Sequence, residues 1–108
     1  MEKTVDQKIE NEGVILSEPA QWVDSASIMK LGKLVLTPQH LVFAIEGATI
    51  PAAAVDLDTI NSISNEHLHT DPNILVIHYL QYDVVKFSVM DYAKWEKAIE
   101  DQRMSPNI

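Results

Sequence analysis

His67, Leu68 and His69 form the one cluster in this 108-residue chain that resembles metal chemistry, with Glu66 and Asp71 close by in sequence. In an extended segment the two imidazoles point to the same side, and imidazole suits zinc, copper or nickel. Protein-derived zinc sites need three or four ligands, and no third ligand or supporting shell can be picked out here. A polar loop carrying two histidines is the simpler account. His78, Ser88 and Asp83 are the residue types of a hydrolase. A triad is defined by geometry, however, and no Gly-x-Ser-x-Gly elbow accompanies them. Asp56 and Asp58 fall on one face of an alternating strand, where they can bind a cation, act as an acid/base pair or simply face solvent. Three dispersed glycines, Gly13, Gly32 and Gly47, build no phosphate-cradling loop. The chemistry-bearing residues thus point to a non-enzymatic protein with no cofactor.

Charge narrows the partner. Eight Lys and Arg against sixteen Asp and Glu give a net charge of −8, a field that repels phosphate backbones and anionic lipid. Nucleic acid is therefore not an expected partner. The stretch from Ser25 to Ile45 holds Lys30 and Lys33 and no acid, so a local positive patch can survive there. Trp22, Ile28 and Met29 lie just before those lysines. In a surface loop they would form an apolar contact for a protein or a membrane; in a strand they would bury in the sheet.

Composition sets the frame for these residues. A hydrophobic share of 46% with 22% charged residues is that of a globular domain and excludes wholesale disorder. Cysteine is absent, which closes off disulfide scaffolds and thiol catalysis and fits a reducing compartment. No run approaches the ~18 apolar residues of a membrane helix. The polar N-terminal stretch has no secretory core, so the expected setting is cytoplasmic, with a peripheral membrane location open if the lysines bind lipid.

The elements that must position these residues are mostly strands. Residues 1–12 read as a partly ordered tail in which Val5 and Ile9 are spaced i, i+4, as in one thin stripe of a short helix. Val14-Ile15-Leu16 is a short strand ending before Glu18-Pro19. Pro19 to Leu31 has no clean period and is either a long loop or an irregular strand returning to the sheet. Lys33–Thr37 and His40–Ile45 form a hairpin around Thr37-Pro38-Gln39-His40, with Pro38 at position i+1 of the turn. Thr49-Ile50-Pro51 makes a third short strand, the three alanines Ala52–Ala54 are ambiguous, and Val55–Asp58 alternates. Asp71-Pro72-Asn73 marks a turn. Ile74–Leu80 and Val84–Val89 form a second hairpin, with Val85, Phe87 and Val89 on one face. The period changes at Met90. Asp91 is a good N-cap, Met90 and Trp95 stand at the positions of a hydrophobic staple, and Tyr92, Trp95, Ala98 and Ile99 share one helical face. Pro106 bars continuation of the helix.

Gly32-Lys33-Leu34-Val35-Leu36-Thr37 followed by Leu41-Val42-Phe43 resembles the glycine, strand, threonine turn and strand of the pleckstrin-homology (PH) superfold, within it the GRAM-type and small bacterial PH-like domains. Ile50-Pro51, Val55 and Ile60 are similar to the next strands. Trp95 in Asp91–Ile99 looks like the tryptophan of a C-terminal helix that plugs an open barrel end. The resemblance covers about Gly13 to Arg103, leaving 104–108 as a tail. It implies an α+β, mainly β, fold: a bent antiparallel sheet or partly open barrel of about seven strands capped by a helix. Its structural residues would be Gly32, Leu34, Leu36, Phe43, Phe87, Trp95 and Ile99. It also implies a binding module, for lipid headgroups in some relatives and for peptides or assembly in others. Only Lys30 and Lys33 fall where basic residues would hold a phosphoinositide. The expectation is a module for a protein or peptide, including a second copy of itself. Lipid binding through Lys30 and Lys33 is the alternative, and a metal or enzyme site at His67 and His69 a weaker one.

Overall fold

Strong period-2 patterning between Gly32 and Val89 folds into antiparallel hairpins that share one continuous sheet. The computed structural model describes residues 13–25, 28–45, 47–48, 50–68 and 71–104. In chain order the strands are β1 (Leu16–Ser25), β2 (Ile28–Leu36), β3 (His40–Ala44), β4 (Ala53–Asp56), β5 (Ile60–Leu68), β6 (Asp71–Tyr79) and β7 (Asp83–Ser88), with helix α1 (Tyr92–Met104) at the end. A 3-10 turn, Leu57–Thr59, joins β4 to β5. All seven strands form one sheet in the order β4-β3-β2-β1-β7-β6-β5. Its two halves are joined by a narrow seam, Gln21 opposite Ser88 and Trp22 opposite Phe87. The sheet bends about that seam, so that the inner faces of both halves share one core.

Leu34, Leu36, Phe43, Phe87, Trp95 and Ile99 are buried in a single cluster with Leu41, Val55, Leu75 and Ile77. Phe43 and Phe87 stack across the two halves with ring centroids 5.5 Å apart. Gly32 has a different reason to be where it is. A Cβ there would lie 2.6 Å from the carbonyl oxygen of Ala44 and 2.6 Å from the Phe43 ring, so β3 reaches its place only over a residue with no side chain.

Helix α1 forms as its spacing predicts. The Asp91 carboxylate accepts the Lys94 backbone N–H at 3.3 Å, and Trp95 and Ile99 are fully buried while Tyr92 and Ala98 pack at the cluster's margin. The staple does not form: Met90 is 69% exposed while Trp95 is 0% exposed, because the indole turns into the barrel and leaves no surface for Met90 to cover.

Four strand expectations are corrected. β1 does not stop before Pro19 but runs from Leu16 to Ser25, paired with β2 apart from a register shift between Val23 and Ser25, so that of the two readings of Pro19–Leu31 the irregular strand returning to the sheet is the one observed. Proline is tolerated because β7 pairs β1 only at Gln21 and Trp22, leaving Pro19 on a stretch that lacks a second neighbour. Ile50 is 75% exposed and precedes β4, which starts at Ala53 opposite Phe43. The Val55–Asp58 alternation ends at Asp56, where the chain enters the 3-10 turn. Finally, Asp71-Pro72-Asn73 lies inside β6. The Asp71 carboxylate accepts the Asn73 N–H at 2.9 Å, a local turn-like bond made within a strand.

Candidate functional site

Residues from β1 and β2 bring Trp22 and Lys30 together, because the hairpin register sets them directly opposite one another. Trp22 is half-buried, with its ring 6.4 Å from that of Phe43. The Lys30 ammonium lies 5.3 Å from the centroid of the Trp22 ring, a cation–π contact. Trp22 lies in β1 and packs, partly buried, against the barrel core. Lys30 and Lys33 are three residues apart in one strand, which sends their side chains to opposite faces. Lys30 shares the inner-face parity of Leu34 and Leu36, and Lys33 the outer-face parity of Val35. They do not converge on one surface. Ile28 and Met29 belong to β2 and not to a loop.

His67 is exposed near the end of β5, and His69 lies outside the described residues. Among the described residues no group of three or more His, Cys, Asp or Glu is placed to hold a metal. His78 is exposed on β6 opposite Val84. Ser88 is four residues further along β7, about 13 Å at strand rise, and its hydroxyl donates to Asp71. Asp83 opens β7 opposite Tyr79. The hydrolase trio is therefore not an assembly.

Two features join residues far apart in the chain. The first is a cleft of about 620 Å³ between the β2–β3 turn, the 3-10 turn and the end of α1, lined in part by Gln39, His40, Asp56, Asp58, Gln102 and Arg103. Asp56 and Asp58 do meet here, but from β4 and the 3-10 turn, not from one strand face. Its charges are largely matched: His40 Nε2 is 2.9 Å from Asp56 Oδ1, and Arg103 donates to the Ile60 carbonyl at 2.9 Å while pairing with Glu100. The second is the pair of sheet ends. Among the described residues β4 and β5 each pair with a strand on one side only. β5 offers the longer edge, with regular register from Ser62 to Glu66 between irregularities at either end. In an antiparallel pair every second residue turns its N–H and C=O away from the partner, so this edge presents unpaired backbone groups.

The fold and these surfaces define a class of protein before any likeness is consulted: a bent antiparallel sheet plugged by a tryptophan-bearing helix, without an assembled catalytic centre among the described residues. Comparison with solved structures places it in the PH fold. The chain is similar to the C-terminal domain of an unknown protein from Leishmania infantum, at TM-score 0.75 and 20% identity over 92% of this chain and 91% of that one. It is similar to the PH domain of the human KIAA0053 protein, at TM-score 0.67 and 15% identity over 89% and 93%. The C-terminal PH domain of pleckstrin, solved in complex with D-myo-Ins(1,2,3,5,6)P5, aligns at TM-score 0.67 and 18% identity over 83% and 95%. No family model and no curated protein sequence matches the chain. No helix among the described residues is long and apolar enough to cross a membrane.

Proposed function

We propose that this PH-like domain is a non-enzymatic interaction module that takes a protein or peptide, or a second copy of itself, by strand addition along β5. The observation that carries this reading is the Ser62–Glu66 edge, regular in register and, among the described residues, paired on one side only. Main-chain bonds to such an edge supply affinity, and side chains of the added strand supply selectivity. A net charge of −8 favours a basic or neutral segment over a phosphorylated one. The GRAM-type likeness and a cytoplasmic setting belong to the same reading.

Headgroup binding through Lys30 and Lys33 is the second reading, favoured by the inositol phosphate in the pleckstrin complex. Two lysines contribute about 1 kcal/mol each at an anionic surface, and here they leave opposite faces of β2. Amide shift mapping separates the readings. Extended basic peptides from a displayed library should move resonances of Ser62–Glu66 and bind with little dependence on salt. Shifts centred on Lys30 and Lys33, with sedimentation on phosphoinositide vesicles that weakens steeply with salt, would replace strand addition with headgroup binding.

A further inference from the structure

The cleft beside the 3-10 turn opens where the β5 edge begins. Ile60 lines the cleft and is also the first residue of β5, two residues or about 7 Å before Ser62. Its carbonyl is already taken, since Arg103 of α1 donates to it at 2.9 Å. The register of β5 also shifts between Ile60 and Ser62. Main-chain pairing along the edge therefore stops short of Ile60, and a chain lying beside Ser62–Glu66 leaves the sheet next to the cleft. Every strand pair in the sheet is antiparallel. A strand added in the same sense runs from the Glu66 level towards the Ser62 level, so its C-terminal end is the one that arrives there.

The cleft's chemistry selects what it can receive. Glu100 offsets Arg103, and His40 pairs with Asp56. Asp58 is the exception. Among the described residues neither its carboxylate nor the side-chain amide of Gln39 or Gln102 has a hydrogen-bond partner, and all three line the cleft. The inner wall is apolar, with Leu57 and Ile60 each 5% exposed. An anion entering here meets Asp56 and Asp58 and is repelled. A long side chain ending in a cation suits every part of the lining. Its methylene stem lies on Leu57 and Ile60, its head meets Asp58 with Asp56 beside it, and the amide oxygens of Gln39 and Gln102 accept its remaining N–H groups. At about 620 Å³ the cleft has the size of a small-ligand site, ~300–1,000 Å³, so one such side chain enters with water.

We propose that this cleft anchors a lysine or arginine at the C-terminal end of a peptide strand added antiparallel to β5, with Asp58 as the residue that selects it. The anchor rests on the strand addition proposed above. The edge accepts any backbone, whereas the cleft fixes the direction of the added strand and the position of its basic residue.

The probes are C-terminally amidated peptides from the displayed library that shift Ser62–Glu66, titrated into the full chain. They should carry lysine or arginine at their C-terminal end, and that residue should move the amides of Asp58 and Gln102. Exchanging it for norleucine should weaken binding to the parent about 3–5-fold, the scale of an exposed ion pair. The same exchange should cost nothing against Asp58→Asn. Asp58 is exposed and holds no bond among the described residues, so Asp58→Asn should melt with the parent. Edge-binding peptides that lack the C-terminal basic residue, lose nothing with norleucine, or lose equally against Asp58→Asn overturn the anchor and leave strand addition standing. A library with no peptide that shifts Ser62–Glu66 overturns both.

Discussion

The carboxylate of Glu18 accepts the indole N–H of Trp95 at 3.0 Å, tying the first strand to the helix that closes the barrel. The same carboxylate pairs with Lys94, the residue just before that tryptophan. Glu18 is thus the polar counterpart of a plug that is otherwise held by burial. Trp95 has no exposed surface, and its one polar atom finds its partner on β1. Replacing Trp95 with Ala should cost roughly 3–5 kcal/mol through the cavity and the lost burial. Glu18→Ala keeps the ring but strands its N–H, for about 1–3 kcal/mol, with Glu18→Gln recovering most of it. Chemical denaturation of the three variants measures both terms, and an unchanged midpoint for Trp95→Ala would refute the plug.

Gly32→Ala tests the close approach of β3. The added methyl meets a backbone carbonyl and an aromatic ring that are both fixed in the core, so neither yields cheaply. Alanine in a strand ordinarily stabilises relative to glycine by roughly 0.5–1 kcal/mol. Here the sign should reverse, with a loss of about 1–3 kcal/mol from overpacking and shifted amide resonances at Phe43 and Ala44. A variant as stable as the parent would show that β3 moves away freely.

Thr37 is buried in the β2–β3 turn, and its hydroxyl serves three bonds. It accepts the His40 N–H at 2.9 Å and the Gln39 N–H at 3.3 Å, and donates to the His40 carbonyl at 3.3 Å. Thr37→Val keeps the shape and removes the oxygen, leaving the part-buried His40 and Gln39 N–H groups without that acceptor at a cost of about 1–3 kcal/mol. Thr37→Ser keeps the oxygen and should lie within ~1 kcal/mol of the parent. Equal stability for the two variants would mean that the turn is held by its backbone bond alone.

Burial pushes the Tyr92 phenol well above its ordinary range, and the hydrogen bond it donates to Glu96, with the charges of Glu96 and Glu100, pushes it further. In the unfolded chain the phenol ionises near pH ~10, while in the folded chain it keeps its proton beyond that. The folded state then binds more protons, so stability falls as pH rises. This contribution is fully present below pH ~10 and is lost progressively above it. Tyr92→Phe should flatten the difference, so that parent and variant converge or cross as pH is raised from 9 to 11 on the scale of that ionisation. Equal pH dependence in the two proteins would dismiss the shift.

Much of the fold is legible in period alone. Val84–Val89 alternates because one face of β7 meets the core and the other is more open, whereas Leu34–Thr37 and Leu41–Ala44 are buried on both faces of β2 and β3. The continuous apolar run of β6 is of that second kind: Ile74 to Ile77 are buried on both faces. On the outer one, Lys86 of β7 and Glu66 of β5 bond across β6 at 3.1 Å. Helix α1 is legible from Asp91 and the Tyr92, Trp95, Ile99 stripe because capping and a 3.6-residue period are local properties. β1 is not, since a proline inside a strand is permitted only by the sheet order around it. The start of β6 is hidden for a related reason, as Asp71-Pro72-Asn73 has turn chemistry and spends it inside a strand.

For function, sequence by itself determined the residue inventory: no cysteine, scattered glycines, an acidic balance, and two lysines in an acid-free stretch. That inventory was enough to direct attention away from phosphate loops and thiol chemistry. Tertiary structure alone decided which residues meet. It set His78 apart from Ser88, sent Lys30 and Lys33 to opposite faces, gathered Asp56, Asp58 and Arg103 around one cleft, and among the described residues left β5 with a neighbour on one side only. The physical reason is that type and period are carried by neighbours in the chain, whereas a site or an open edge depends on strand order and register. Those are settled by which faces the whole sheet can bury at once.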